Sequence, residues 1–218
     1  VRARIKKYYD LDSEVVYPPL MMKPTIQRIM NHESPASPSE AGRARSKGKY
    51  FLVVSRLVPY KRIDLAVRAA NKAGIHLKII GTGSELGKLK KMARLRQGYG
   101  GRAGPTVEFL GYVSDSDLKY YYSNCKALIF PGVEDFGLTM VEANAFGKPV
   151  IAFRAGGAEE IIIEGETGAF FDRQNAQSLH EVLKRFKPSR YNSLDCRKNA
   201  KRFSFEQFKQ KINDILNT

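Results

Sequence analysis

Residues 50–73 read YFLVVSRLVPYKRIDLAVRAANKA: an apolar run of strand length, a turn carrying Arg56, Pro59 and Lys61, and then an amphipathic segment. The same succession repeats along the chain. Apolar runs at 50–55, 76–81, 106–111, 127–131, 149–153 and 168–171 alternate with amphipathic segments at 61–73, 85–96, 116–123, 138–146 and 159–163. Parallel strands need long crossovers that usually contain a helix, so this alternation predicts an α/β fold, a doubly wound parallel sheet with helices on both faces. After residue 171 the alternation stops. Segments 176–185, 191–202 and 205–216 carry apolar residues at helical spacing and predict additional C-terminal helices.

Outside these elements the composition changes. Residues 31–49, NHESPASPSEAGRARSKGK, are rich in Ser, Pro, Ala and charge and bury too little to offset the entropy of ordering, so a flexible linker or insertion is expected there. Residues 97–105, QGYGGRAGP, hold four glycines and read as a loop. The expected organisation is therefore a segment 1–30, the linker 31–49, and one domain over 50–218.

With 218 residues, 43% of them hydrophobic, the chain is long enough for one substantial core. It contains no uninterrupted apolar stretch near the roughly 18–20 residues that a membrane helix needs, and no apolar core follows Val1-Arg2-Ala3-Arg4, so a cytoplasmic protein is expected. The formal charge of +15 favours polyanionic partners. Its cations are spread over 2–7, 43–49, 88–96 and 184–202, with no arginine-rich helix or aromatic-interleaved strand, which disfavours nucleic acid and leaves anionic membrane or phosphorylated small molecules. Cys125 and Cys196 lack metal-ligand spacing and read as reduced thiols; His32, His76 and His180 are isolated.

In an open parallel sheet, ligands bind beyond the carboxyl ends of the strands, so the strand-to-helix turns are where chemistry is expected. Ser55-Arg56-Leu57-Val58-Pro59-Tyr60-Lys61-Arg62 sets cations at a strand end just before a helix, a combination suited to a diphosphate. Gly81-Thr82-Gly83-Ser84-Glu85 permits close backbone approach, either to a ligand or through a turn of positive φ; its next glycine is Gly87, which breaks the dinucleotide fingerprint. Gly111-Tyr112-Val113-Ser114 can offer backbone groups to a planar base. The richest turn is Pro131-Gly132-Val133-Glu134-Asp135-Phe136-Gly137-Leu138-Thr139-Met140-Val141-Glu142, where Glu134 precedes a helix and Glu142 falls about one turn inside it. One carboxylate can accept from sugar hydroxyls and the other from a ribose diol, while the helix N-terminus faces phosphate. The alternative is that Asp135 caps the helix and Glu142 is a surface charge, although Leu138, Val141, Ala143 and Ala145 surround Glu142 with apolar neighbours.

Glu134 and Glu142, separated by seven residues that include Phe136-Gly137-Leu138, resemble the donor-binding signature of the retaining GT-B glycosyltransferases of the group 1 family. Ser55-Arg56-Leu57, Gly81-Thr82-Gly83, Phe109-Leu110-Gly111, Gly147-Lys148-Pro149-Val150 and Gly165-Glu166-Thr167-Gly168 extend the resemblance. It implies the Rossmann-like donor half of a GT-B fold. Arg56 and Lys61 would neutralise the donor diphosphate, and Glu134 would bind the transferred sugar. The backbone of Phe136, Gly137 and Leu138 would contact sugar and phosphate, and Glu142 would hold the ribose. Gly81 and Gly83 would approach the donor, and Tyr112 and Val113 would flank the base. No metal and no cofactor is implied, since cations and helix dipoles stabilise the leaving diphosphate. Gly156-Gly157-Ala158-Glu159-Glu160 and the run 167–174 are similar to GDP-mannose-dependent mannosyltransferases, which favours GDP-mannose as the donor with a UDP-sugar as the other choice.

The same family pairs this half with an N-terminal acceptor-binding domain. Residues 1–30, with Tyr17-Pro18-Pro19, resemble the tail of such a domain, and the final helix resembles one that packs back upon it, leaving Phe205, Phe208, Ile212 and Ile215 exposed. The expectation is a hexosyltransferase that is inactive as this piece alone, in the cytoplasm or peripheral at the inner membrane face, acting on a sugar or lipid-linked acceptor. The competing readings are a free-standing nucleotide-sugar-binding module or pseudoenzyme, and a basic nucleic-acid-binding domain.

Overall fold

Six short strands, β1 (Phe51–Val54), β2 (Leu77–Ile80), β3 (Val107–Gly111), β4 (Leu128–Phe130), β5 (Val150–Phe153) and β6 (Gly168–Phe171), form one sheet in the order β3-β2-β1-β4-β5-β6. Every pairing is parallel. At the centre, Phe51 faces Leu77 on one side of β1 and Leu52 pairs with Leu128 on the other. The computed structural model describes residues 2–22, 50–94 and 107–217; the expected linker 31–49, the loop 97–105 and His32 lie outside the described residues.

The helices are α1 (Arg2–Tyr9), α2 (Ile63–Ala73), α3 (Leu86–Arg94), α4 (Asp115–Asn124), α5 (Leu138–Ala145), α6 (Gly157–Ile161), α7 (Ala176–Arg185), α8 (Ser193–Lys201) and α9 (Phe205–Leu216). Side chains alternate across each strand and so feed two cores, as a doubly wound sheet requires. Tyr50, Leu52, Leu128, Phe130, Val150 and Ala152 meet α4, α5 and α8 on one face. Phe51, Val53, Leu77, Ile79, Ile129 and Ile151 meet α2, α3 and α7 on the other.

Several elements depart from the sequence expectation, among them the helix expected at 159–163, which is α6 at Gly157–Ile161. The helix expected from residue 61 begins at Ile63, because Pro59–Lys61 is a 3-10 turn and Arg62 takes the left-handed conformation at φ +53°, which an α-helix cannot continue. Arg2–Tyr9 forms a helix that the alternation did not mark. The last helix, α9, has no buried residue, with Phe205 and Ile215 exposed and Phe208 and Ile212 half-buried. Among the described residues no helix is long and apolar enough to cross a membrane.

A buried amide pair locks the C-terminal helices to the domain. Asn199 on α8 donates to Asn144 Oδ1 at 2.8 Å and to the Ile161 carbonyl at 2.7 Å, while Asn144 donates to the carbonyl of Lys148 at 2.9 Å. Arg202 donates in turn to Asn199 Oδ1 at 2.8 Å. Asn199→Leu keeps the volume but leaves these acceptors and the Arg202 donor without their partner, a cost of about 2–4 kcal/mol. Urea denaturation checks this through a lowered midpoint at unchanged slope.

Candidate functional site

Between β1 and β4 the sheet reverses its direction of winding, and a crevice opens beyond the strand ends at such a point. A cavity of about 720 Å³ lies there, lined by Ser55 and Arg56 after β1, by Tyr60 and Lys61 on the following turn, and by residues 133–139 after β4. Topology alone therefore brings the cationic turn and the acidic turn face to face. Among the described residues no group of three His, Cys, Asp or Glu side chains is placed to hold a metal ion.

Across this cavity the Lys61 ammonium forms an ion pair with Glu134 Oε1, with side-chain exposures of 13% and 25%. Burial pulls the Lys61 pKa below its ordinary value, a nearby Arg56 pushes the same way, and Tyr60 opposes them. Arg56 Nη2 donates to Tyr60 Oη at 3.1 Å, and the Lys61 ammonium stands 5.1 Å from the centre of the Tyr60 ring. The turn that carries these groups is anchored at its far end: Arg62 pairs with Asp64 at 3.2 Å and reaches Gln174, whose amide donates to the Pro131 carbonyl at 3.1 Å. The exits of β1 and β4 are thus tied together behind the cavity.

The acidic turn ends at Gly137, the N-cap of α5, which sits at φ +100° and makes no side-chain capping bond. Asp135, the expected alternative cap, does not occupy the capping position. The first-turn N–H groups of a helix lack the usual intrahelical partner, and Gly137, Leu138 and Thr139 line the cavity, so the N-terminus of α5 borders it. Glu142 lies one turn further, half-buried and outside the cavity lining, and its Oε2 accepts from Tyr122 Oη at 2.7 Å. Burial raises the Glu142 pKa, the Tyr122 hydrogen bond holds it down, and Asp115 adds to the rise. Glu142 is therefore neither a simple surface charge nor a lone carboxylate, since Tyr122 offsets part of its burial cost.

Of the residues expected at the site, Arg56, Lys61, Glu134, Phe136, Gly137 and Leu138 come together on one cavity. Gly81 and Gly83 do not line it. A Cβ on Gly81 would lie 1.9 Å from the Ser55 carbonyl oxygen, and one on Gly83 would lie 2.3 Å from that of Leu57. Their close approach is to the β1 exit, which they let the neighbouring turn underpin through the Leu57 N–H to Thr82 carbonyl bond at 2.9 Å. Tyr112 is 82% exposed, and Val113 packs at the edge of the core, both outside the cavity lining. Sequence reading missed Tyr60, whose only sign was its place between Arg56 and Lys61. It also missed Tyr17 and Phe203, whose rings stand 5.5 and 5.4 Å from Phe136 and brace the acidic turn from outside.

The Gly156-Gly157 pair has a structural role in the same turn. Gly157 N–H donates to the Glu134 carbonyl at 2.8 Å, and a Cβ on Gly156 or Gly157 would meet the backbone of Glu134 or Phe136 at 2.4 or 2.2 Å. The N-terminus of α6 is the surface against which the acidic turn is moulded.

A doubly wound parallel sheet with its crevice at the switch point defines a Rossmann-like α/β domain. The model of the family described as Glycosyl transferases group 1 matches residues 38–203, and the chain belongs to that family. A glycogen synthase of Pseudomonas paraeruginosa is 34% identical over 163 residues, 71% of this chain and 31% of that protein. An uncharacterised glycosyltransferase of Methanocaldococcus jannaschii is 30% identical over 135 residues, 62% of this chain and 37% of its own length. The chain thus spans about a third of the length of these curated relatives. Among solved structures, Anabaena HepE in complex with UDP and glucose superposes with a TM-score of 0.67 at 22% identity, covering 82% of this chain and 50% of that one.

Proposed function

We propose that this chain is the donor-binding half of a retaining glycosyltransferase that moves a hexose from a nucleoside diphosphate sugar to a sugar or lipid-linked acceptor. The observation that carries this reading is the Lys61–Glu134 ion pair spanning a cavity at the switch point. A bound diphosphate would draw the ammonium to itself, joined by Arg56 and the α5 N-terminus, and release the Glu134 carboxylate to accept from sugar hydroxyls. These cations oppose the charge that develops on the departing diphosphate. Glu142 would hold the ribose, and the turn with Tyr112 and Val113 would flank the base. Gly81 and Gly83 would act by fixing the β1 exit.

Two donors compete. The sequence resemblance favours GDP-mannose; the UDP and glucose bound in the Anabaena neighbour favour a UDP-hexose. The length of the curated relatives supports an acceptor-binding domain as the second half of the site. Calorimetric titration with GDP-mannose, UDP-glucose, GDP and UDP, repeated on Arg56→Ala and Glu142→Ala, tests the reading. Saturable binding of one nucleotide family that both substitutions weaken supports it and names the base; binding that ignores both substitutions rejects the site.

The state of Glu142 adds a pH dependence. An ionised carboxylate is the better acceptor for a ribose diol, so sugar-nucleotide affinity falls as the pH drops through the raised Glu142 pKa. Tyr122→Phe deletes the hydrogen bond that holds this pKa down, and the fall is expected to move to higher pH. Folding responds with the opposite sign: the raised pKa costs stability at neutral pH, and the cost is relieved as the pH falls through it. Parallel titrations of the two proteins with one sugar nucleotide in the acid range measure the displacement, and superimposable profiles would separate Glu142 from the ribose.

The C-terminal helices support a further partner. Lys184, Arg185, Lys187, Arg190, Arg197, Lys198 and Lys201 are all exposed, and Asp195 is the sole acidic side chain in residues 184–202. We assign this face to an anionic membrane surface. Sedimentation with vesicles containing phosphatidylglycerol is expected to carry the chain down at low salt and release it at high salt, whereas phosphatidylcholine vesicles leave it in solution.

A further inference from the structure

Tyr60 lies beside both cations of the cavity, and its chemistry restricts where its own proton can go. Its phenol has a single O–H to donate and two lone pairs to accept with. One lone pair receives the Arg56 guanidinium at 3.1 Å, and the Lys61 ammonium stands 5.1 Å from the centre of the same ring. Neither a guanidinium nor an ammonium can accept a hydrogen bond, so the phenolic proton cannot be satisfied by either neighbour. The ring is 53% exposed and lines the cavity, which leaves that proton free to serve a group entering there.

The position is also held firmly. Pro59 opens the 3-10 turn and fixes its backbone, Arg62 closes it in the left-handed region, and Gln174 pins Arg62 to the β4 exit. On the opposite side of the turn Gly132 lets the two backbones touch, where a Cβ would lie 3.0 Å from the Lys61 carbonyl oxygen. Tyr60 therefore has a fixed base and an exposed hydroxyl.

We propose that Tyr60 is a donor-binding residue in its own right: its oxygen holds the Arg56 guanidinium, its ring lies beside the Lys61 ammonium, and its O–H donates to an oxygen of the diphosphate. The inference rests on the donor site proposed above and adds a neutral third donor to the two cations.

Tyr60→Phe removes only the hydroxyl and keeps the ring beside Lys61. Binding is measured by calorimetry for the nucleoside diphosphate and the nucleoside monophosphate of whichever base the wild-type chain prefers, with Arg56→Ala as a reference. The expected result is a loss on the order of 10-fold for the diphosphate, the range of a hydrogen bond to a charged group, and little change for the monophosphate. Thermal stability should match wild type, because the hydroxyl is not part of the core. Affinity of Tyr60→Phe for the diphosphate within twofold of wild type, while Arg56→Ala weakens it, would overturn the role of Tyr60 and leave the donor site standing. Equal losses for diphosphate and monophosphate would also overturn it, since the hydroxyl would then act away from the second phosphate. A wild-type chain that binds no nucleotide would remove both.

Discussion

Replacing Lys61 with alanine is expected to weaken nucleoside diphosphate binding about 100-fold, corresponding to roughly 3 kcal/mol. Two effects add. In the proposed donor site the ammonium would itself be a charge-assisted donor to the diphosphate, and its removal also strips Glu134 of its ion-pair partner. A bare carboxylate then faces the incoming anion across the same cavity. The double change Lys61→Ala with Glu134→Gln separates the two effects: it should recover part of the diphosphate affinity, because the repulsion is gone while the missing cation is not. Folding is also weakened, since the pair is largely buried and Lys61→Ala leaves the Glu134 carboxylate without its partner, a cost that the double change relieves in part. If Lys61→Ala binds the diphosphate within threefold of wild type, the ammonium serves Glu134 alone and the diphosphate lies elsewhere.

The parts of the molecule that were legible in the sequence are those governed by periodicity. Strand residues such as Leu52, Ile79 and Ile151 announce themselves because both faces of a parallel sheet are buried, and the succession of run, turn and amphipathic segment dictates the winding. The switch-point crevice then follows from topology, which is why Arg56, Lys61 and Glu134 are found on one cavity although the two turns lie more than seventy residues apart in sequence. Arg2–Tyr9 escaped because its sequence, RARIKKYY, is dominated by cations and has no acidic first turn to mark a helix start. The start of α2 was misplaced by two residues because nothing in the side chain of Arg62 advertises a left-handed backbone.

Contacts between distant segments were not legible either. Gly81 and Gly83 are required by the carbonyls of Ser55 and Leu57, which only the pairing of β1 and β2 brings beneath them. The same holds for Tyr122, a buried residue of α4 that is the hydrogen-bond partner of Glu142. Spacing can nominate a carboxylate, but the groups that set its orientation and its pKa come from another helix.

The second large effect is expected at Gly157, outside the cavity. In Gly157→Ala the new methyl carbon would fall 2.2 Å from the Phe136 carbonyl oxygen and 2.5 Å from its Cα, so backbone must move. Neither partner can yield freely. Gly157 is bonded to the Glu134 carbonyl, and Phe136 is held between the rings of Tyr17 and Phe203. Overpacking of this kind costs about 1–3 kcal/mol in folding. The strain falls on the turn 134–136, and in the proposed site a displacement there carries the Glu134 carboxylate away from the sugar, which weakens sugar-nucleotide binding on the order of 10-fold. Gly165→Ala supplies the control: Gly165 has positive φ, at +83°, which strains an alanine as Gly157 does not, yet nothing lies within 4 Å of its Cβ position. It should lose a similar amount of stability, about 1–2 kcal/mol, with donor binding untouched. Denaturation and sugar-nucleotide titration of both variants make the comparison. Equal binding losses in the two would trace the effect to general destabilisation, whereas a loss confined to Gly157→Ala identifies the α6 N-terminus as the part that shapes the sugar-binding turn.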